Sequence, residues 1–181
     1  VLYNILDGER IVVSATKGLN PLDLEPTPDA MLRANPHLDP YKQTIQTDVM
    51  GFLEAFFEME GMSLSATRGV LSVAIREAYR RKGITPDPTT HGNESPTLRD
   101  VRAILQEIAQ DPLEFIEGDP STISEIEVNL WTERASQLRM DLEPFRAGGE
   151  YEHLGRQTEV RIGDTDVIYL DMHQIEGEQK T

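Results

Sequence analysis

The chain has 181 residues and no cysteine, and 32 acidic residues against 17 lysines and arginines give it a formal net charge of −15. A surface this acidic repels nucleic-acid phosphates, which argues against direct nucleic-acid binding. The lack of cysteine excludes disulfide frameworks and thiolate metal sites. No apolar run reaches the roughly 18 residues of a membrane-spanning helix, so no transmembrane segment is predicted.

The charge balance has two interpretations. Only four of the basic residues are lysines, namely Lys17, Lys42, Lys82 and Lys180. The chain is either an ordinary acidic protein or a protein of a salt-rich cytoplasm, where screening weakens the repulsion between carboxylates. The first residue is Val1, which favours a segment of a longer protein, although processing also removes initiating methionines.

The first 40 residues predict a strand followed by a proline-rich connector. Residues 8–14 form a short β-branched run that is typical of a buried strand. Lys17-Gly18 follows, but a phosphate loop needs several glycines before the lysine and a helix after it, so no nucleotide site is predicted there. Five prolines then lie between residues 21 and 40, and they disfavour a regular helix.

Residues 41–147 predict a helical bundle. Apolar residues recur at three- and four-residue spacing, which predicts four helices, at about 40–61, 63–82, 97–111 and 121–146. Asp39-Pro40 is the start signal of the first helix. Thr97 with Asp100 forms a capping-box signal, and Gly61 and Gly83 are stop signals.

The same spacing assigns core residues to each helix. In the first helix they are Ile45, Val49, Phe52, Leu53, Phe56 and Phe57. In the second they are Val70, Leu71, Ala74, Ile75, Ala78 and Tyr79. The third has Val101, Ile104, Leu105 and Ile108. The fourth has Ile123, Ile126, Leu130, Trp131, Ala135, Leu138, Leu142 and Phe145.

Residues 148–181 predict a loop followed by β-structure. Gly148-Gly149 predicts a loop, and residues 158–162 alternate between polar and apolar before a turn. Residues 166–171 are a mostly apolar run that ends in Asp171. We expect a β-hairpin or returning strand here. Because strands this short cannot bury both faces alone, we expect them to belong to a larger sheet.

Two groups of side chains are candidates for chemistry or binding. Two pairs could each supply two of the ligands of a metal site with oxygen and nitrogen donors: His37 with Asp39, and His91 with Glu94. The spacing of the sequence does not indicate a third ligand for either pair. A metal-dependent enzyme that uses His37, Asp39 and His91 is therefore the weakest of the functions considered.

The second group is the one concentration of positive charge in the sequence. It consists of Arg76, Arg80, Arg81 and Lys82. These residues form either an interaction patch for an acidic partner or DNA, or a complement to the negative C-terminal end of the second helix.

Three stretches of the sequence form an ordered set: GLNPLDL after the first strand, LEPFRAGGEY after the last helix, and VIYLDM as the returning strand. Their signature residues are Asn20, Pro21, Asp23, Gly148, Gly149, Tyr151 and Asp171. In this order they resemble the conjugation and type IV secretion ATPases of the HerA–FtsK superfamily, the TraC-like group in particular. The helical block between them is similar to the helical insertion of that family.

The resemblance implies a full-length parent that hydrolyses ATP with Mg²⁺ as a ring and moves DNA or protein across the cell envelope. The family's phosphate loop lies before this region and its Asp-Glu motif after it, and neither is in this sequence. No catalytic, cofactor-binding or metal-binding residue is therefore carried over, and the segment alone is expected to be inactive. The acidic, lysine-poor composition would suit a haloarchaeal version.

The resemblance also implies partners and a location. The partners are the rest of the ATPase core, neighbouring ring subunits and the secretion or conjugation machinery. The location is the cytoplasm, at the inner face of the membrane.

The predicted fold class is mainly α, a four-helix bundle-like subdomain with short terminal β-strands from a truncated α/β ATPase core. The predicted function is the helical subdomain of a translocating ATPase. The alternative is a stand-alone acidic helical protein–protein interaction module.

Overall fold

The structure is a computed structural model that describes residues 9–12, 18–24, 33–34, 37, 39–42, 47–159 and 168–171. It is mainly helical, as predicted. The chain divides into two compact units. The terminal unit consists of Val1–Asn20 together with Pro144–Thr181, and the helical unit consists of Pro21–Glu143. The two ends of the chain thus belong to one unit, and the residues between them form the other.

The first predicted helix is described in two parts. Pro40–Lys42 forms one helical turn, and the amide of Lys42 donates a hydrogen bond of 2.9 Å to Oδ1 of Asp39, which confirms the predicted start signal. Residues 43–46, with the predicted core residue Ile45, lie outside the described residues. Helix α1 then spans Met50–Met59.

Helix α1 buries the face that its spacing predicts. Val49, Leu53, Phe56 and Phe57 are buried, whereas Phe52 is half-buried. Gly61 follows with φ +73°, a left-handed conformation that favours glycine and ends the helix.

Helix α2 spans Arg68–Arg81 and begins later than the predicted Ser63. Ser63 and Ser65 hydrogen-bond to each other and the hydroxyl of Ser63 accepts from the amide of Ser65, so these side chains compete with helical hydrogen bonding. The six predicted core residues of α2 are all buried. Gly83, with φ +72°, ends the helix as its position predicts.

Helix α3 spans Leu98–Gln110 and has the predicted capping box. The hydroxyl of Thr97 accepts a hydrogen bond of 3.4 Å from the amide of Asp100, and the Asp100 carboxylate accepts one of 2.7 Å from the amide of Thr97. The predicted core residues of α3 are buried, and the helix ends before Pro112.

Helix α4 spans Glu125–Asp141 and is shorter than the predicted 121–146. Ser124 caps its start, because its hydroxyl accepts a hydrogen bond of 3.2 Å from the amide of Glu127. Pro120–Thr122 and Glu143–Phe145 are 3₁₀ turns on either side. A proline opens the first turn and lies within the second, and neither can donate a helical hydrogen bond.

The predicted core face of α4 is correct only in its C-terminal half. Ala135, Leu138 and the following Leu142 are buried, but Ile126 and Leu130 are exposed. At about 100° per residue, Ile126 lies on the opposite side of the helix from Ala135. The prediction of Ile126 and Leu130 as core residues was therefore wrong.

The core of the helical unit forms where α2, α3 and α4 pack against one another. Tyr79 of α2 is fully buried, and its hydroxyl donates a hydrogen bond of 2.5 Å to the carbonyl oxygen of Leu22. The amide of Leu24 donates one of 2.9 Å to the hydroxyl of Ser95. These bonds hold residues 22–24 against α2 and against the loop that precedes α3. A single bundle of all four helices stays a prediction.

In the terminal unit, strand β1 spans Glu9–Val12 and strand β2 spans Ile168–Asp171. They pair in parallel, with Glu9 opposite Ile168 and Val12 opposite Asp171. The predicted hairpin turn around residue 163 lies outside the described residues. The larger nucleotide-binding sheet also stays a prediction.

Within the described part of the chain, none of the helices combines the length and the apolar character that crossing a lipid bilayer requires.

Candidate functional site

The two halves of the terminal unit meet at a junction that we call the seam, formed by residues 18–20 and 153–159. The amide of Leu19 donates a hydrogen bond of 2.9 Å to the carbonyl oxygen of His153, and the amide of Glu159 donates one of 3.0 Å to that of Gly18. The amide of Asn20 donates one of 2.8 Å to Oγ1 of Thr158. The seam therefore joins parts of the chain that lie far apart in sequence.

The signature residue Asn20 and its neighbour Gly18 have structural roles in the seam. A Cβ atom on Gly18 would overlap the carbonyl oxygen of Gln157, so a side chain does not fit there. Asn20 is buried, and its side-chain amide donates a hydrogen bond of 3.3 Å to Oε1 of Gln157. Gly18 and Asn20 therefore allow the backbone of residues 18–20 to lie close to that of residues 153–159.

The other half of the seam is held by a turn around Phe145. The amide of Tyr151 donates a hydrogen bond of 2.9 Å to the carbonyl oxygen of Pro144, and the Tyr151 ring lies 5.9 Å from that of Phe145. Gly148 has φ +75°, and a Cβ atom on Gly149 would overlap the Pro144 carbonyl. The Gly-Gly-Glu-Tyr signature thus builds a compact turn.

Gly155 is a further seam residue that the sequence reasoning missed. It is buried, and a Cβ atom there would overlap the carbonyl oxygen of Phe145. The neighbouring His153 is half-buried, and burial, followed by the positive charge of Arg156, lowers the pKa of its imidazole. Burial thus favours the neutral form of the His153 imidazole, while its carbonyl oxygen accepts a hydrogen bond in the seam. No local pattern in the sequence marks either residue.

The remaining signature residues are Pro21, Asp23 and Asp171. Pro21 is half-buried in a turn and Asp23 is exposed, and both belong to the start of the helical unit. Asp171 ends β2, where its backbone pairs with Val12.

The cationic residues predicted as an interaction patch are mostly paired with carboxylates. Arg80 and Arg81 both bond to Glu77, at 2.6 and 2.8 Å, and Arg81 also bonds to Glu107 at 2.6 Å. Hydrogen bonds from these arginines lower the pKa of Glu77 to about 2, and the bond from Arg80 has the largest effect. The positive charge of the patch is therefore compensated within the fold over much of its extent.

Lys82 and Arg76 complete that patch. Lys82 pairs with Glu94 at 2.7 Å. Arg76 is exposed, and no ion pair is found for it among the described residues. It borders a cleft of about 380 Å³ together with Tyr41, Phe115 and Glu117. Because this cleft mixes apolar, cationic and anionic walls, it does not select a ligand of one charge. An interaction role for the four residues stays a prediction.

The histidines considered as metal ligands have other surroundings. His91 is buried, its Nε2 lies 2.9 Å from the carbonyl oxygen of Thr85, and its ring stacks on Tyr41. Glu94 is paired with Lys82, and His37 is exposed. Across the described ranges, no three His, Cys, Asp or Glu side chains are grouped as metal ligands.

Comparisons with protein-family models, with curated proteins and with solved structures found no match to this chain. The assignment of a function therefore depends on the quoted motifs and on the geometry of the seam.

Proposed function

We propose that the chain is the helical subdomain of a DNA- or protein-translocating ATPase of the conjugation and type IV secretion kind. The observation that carries this proposal is the seam. An inserted subdomain must leave and re-enter its parent domain at adjacent points. Residues 18–20 and 153–159 are held together by hydrogen bonds, while Pro21–Glu143 forms a compact unit of its own.

The pairing of β1 with β2 supports the same proposal. Parallel neighbouring strands need a long crossover connection, and here the helical unit lies between the two strands in sequence. Sheets made of parallel strands are characteristic of α/β nucleotide-binding domains. Four residues in each strand make a small remnant of such a sheet.

In this proposal the chain does not hydrolyse ATP by itself. Phosphoryl transfer requires a phosphate cradle and Mg²⁺ ligands, and the sequence has no Gly-x-x-x-x-Gly-Lys-Ser/Thr motif. ATP and Mg²⁺ would be bound by the parent protein. The helical unit would pack beside the ATPase core, relay motion within the ring and contact other subunits or the secretion machinery at the cytoplasmic face of the membrane.

We further propose that the protein works in a salt-rich cytoplasm. A net charge of −15 on 181 residues produces repulsion that dissolved salt screens. Lysine is scarce, with four residues in the whole chain.

The alternative is a stand-alone acidic interaction module. Apolar side chains on the exposed side of α4 favour it, because such residues mark contact surfaces.

The DNA that encodes the residues on either side of Val1 and Thr181 separates these two functions. We expect a phosphate-loop motif upstream and an apolar strand that ends in Asp-Glu downstream. A start codon directly before Val1 and a stop codon directly after Thr181 would refute the ATPase proposal and leave the interaction module.

A further inference from the structure

Helix α4 has apolar residues on the side that faces away from its core. We call this side the outward face of α4 and define it by Ile126, Leu130 and Met140, which are 73%, 40% and 56% exposed. Ala135 and Leu138, on the inward side, are fully buried. A helix on the surface of a domain normally has polar residues on its outer side. Exposed apolar residues at helical spacing therefore indicate a surface that another molecule covers.

The chain around the start of this face carries uncompensated negative charge. From Asp111 to Glu133 there are seven acidic residues and no lysine or arginine. None of the seven has an ion pair among the residues that the structure describes; they are Asp111, Glu114, Glu117, Asp119, Glu125, Glu127 and Glu133. By contrast, Glu77 and Glu107 on α2 and α3 are both paired with arginines.

The local structure accounts for only part of this charge. Glu125 and Glu127 lie in the first turn of α4, where negative charge interacts favourably with the helix dipole. Glu133 lies one turn beyond Leu130 on the outward side, and Glu114 and Glu117 precede the helix, so the dipole does not explain them. These carboxylates would find partners in a molecule that brings cations.

We propose that the outward face of α4 binds an amphipathic helix of a partner protein, with aliphatic residues on one side and lysines or arginines beside them. Aliphatic side chains of the partner would cover Ile126 and Leu130, and its cations would pair with the surrounding carboxylates. A second copy of this chain is a poor occupant, because it would bring the same carboxylates to the interface. The proposal does not depend on the relation to ATPases.

The test uses a labelled helical peptide made of two Leu-Lys-Lys-Leu-Leu-Lys-Leu heptads, with binding to the full chain followed by fluorescence anisotropy. We expect saturable binding that weakens as salt is added. The double variant Ile126→Ser/Leu130→Ser should weaken binding by about tenfold or more, since two apolar anchors are lost. Because both residues are exposed, circular dichroism of the variant should match that of the parent chain.

Matched controls locate the site. Met59 is 79% exposed at the end of α1, and Met59→Ser should leave the affinity unchanged. A peptide with glutamate in place of every lysine should not bind.

Three results would overturn the proposal. The first is equal affinity of the lysine peptide for the parent chain and the Ile126→Ser/Leu130→Ser variant. The second is equal binding of the glutamate peptide. The third is self-association of the chain that this variant abolishes, which would make a second copy the occupant.

Discussion

The backbone amide of Asn20 donates a hydrogen bond of 2.8 Å to the hydroxyl of Thr158, a residue 138 positions further along the chain. This bond closes the seam, in which both halves of the terminal unit meet. A polar group as buried as Asn20 is costly to leave without a partner. The seam is therefore the place where substitutions should act most clearly on the terminal unit.

Replacement of Thr158 by valine should loosen the seam. The variant keeps the shape of the side chain but removes the acceptor of the Asn20 amide, at a cost of about 1–2 kcal/mol. Amide hydrogen exchange at Asn20 should become about tenfold faster. Thr158→Ser keeps the hydroxyl and serves as the control. Equal exchange rates in the valine and serine variants would contradict this role of the hydroxyl.

A side chain at Gly18 should also open the seam, for a steric reason. In Gly18→Val the new Cβ overlaps the carbonyl of Gln157, and we expect a loss of about 1–3 kcal/mol, measured as faster amide exchange at Leu19 and Glu159. Gly51 in α1 has open space around it, so Gly51→Ala should stabilise the helix by about 0.5–1 kcal/mol. Unchanged exchange in Gly18→Val would contradict the close approach of Gly18 to the Gln157 carbonyl.

The buried hydroxyl of Tyr79 should contribute to the stability of the helical unit. Tyr79→Phe removes its hydrogen bond to the Leu22 carbonyl and should lower the free energy of unfolding by about 1 kcal/mol in urea titrations. The pKa of Tyr79 is raised, chiefly by burial, so the phenol stays protonated through the neutral range. Tyr41→Phe, at a half-buried position, is the matched control and should have a smaller effect. If the two variants lose equal stability, the Leu22 bond contributes nothing.

Acid should weaken the ion-pair network of α2 in a defined pH window. Hydrogen bonds from Arg80 and then Arg81 lower the pKa of Glu77 from 4.5 to about 2. A lowered pKa means that the stabilisation is complete above pH 4.5 and is lost as the pH falls towards 2. The stability difference between the parent chain and Glu77→Gln should therefore be about 1 kcal/mol at neutral pH, because water screens the exposed arginines, and should vanish in acid.

The control for this acid effect is Arg76→Gln, which removes an α2 arginine that has no ion pair among the described residues. Its stability difference from the parent chain should change less across the same pH window than that of Glu77→Gln, because no carboxylate is bonded to the Arg76 guanidinium among the described residues. A constant difference for Glu77→Gln from neutral pH down to about pH 2 would refute the role assigned to Glu77.

Salt should stabilise the whole chain. With a net charge of −15, repulsion between carboxylates is strong at low ionic strength and is screened by KCl. The melting temperature should rise steadily from low to molar KCl. A melting temperature that stays level or falls would contradict the proposed salt-rich cytoplasm.

The sequence predicted those helix ends that depend on residues close to one another in the chain. The capping box of Thr97 and Asp100 and the stop at Gly83 each involve residues within one turn, and both are confirmed. Periodicity failed in α4 because Ile126 and Leu130 extend an apolar pattern that continues on both sides of the helix. Spacing alone cannot indicate which of two apolar sides will be covered by neighbouring helices.

The seam and the ion pairs could not be predicted because they depend on long-range approach. Gly155 must be a glycine because the Phe145 carbonyl lies against it, and Gly18 because of Gln157. Arg81 pairs with Glu107, 26 residues away, so a cluster that is cationic in sequence is compensated in the fold. Neither relationship has a signature in the residues next to it.

The most direct test of the proposed function is ATP hydrolysis by the natural full-length protein, compared with that of this 181-residue chain. If the proposal is correct, hydrolysis by the full-length protein depends on Mg²⁺ and the chain alone shows none, because this sequence contains neither a phosphate-loop motif nor an apolar strand that ends in Asp-Glu. A full-length protein that does not hydrolyse ATP, or a chain that hydrolyses it at the same rate as the full-length protein, would contradict the proposal.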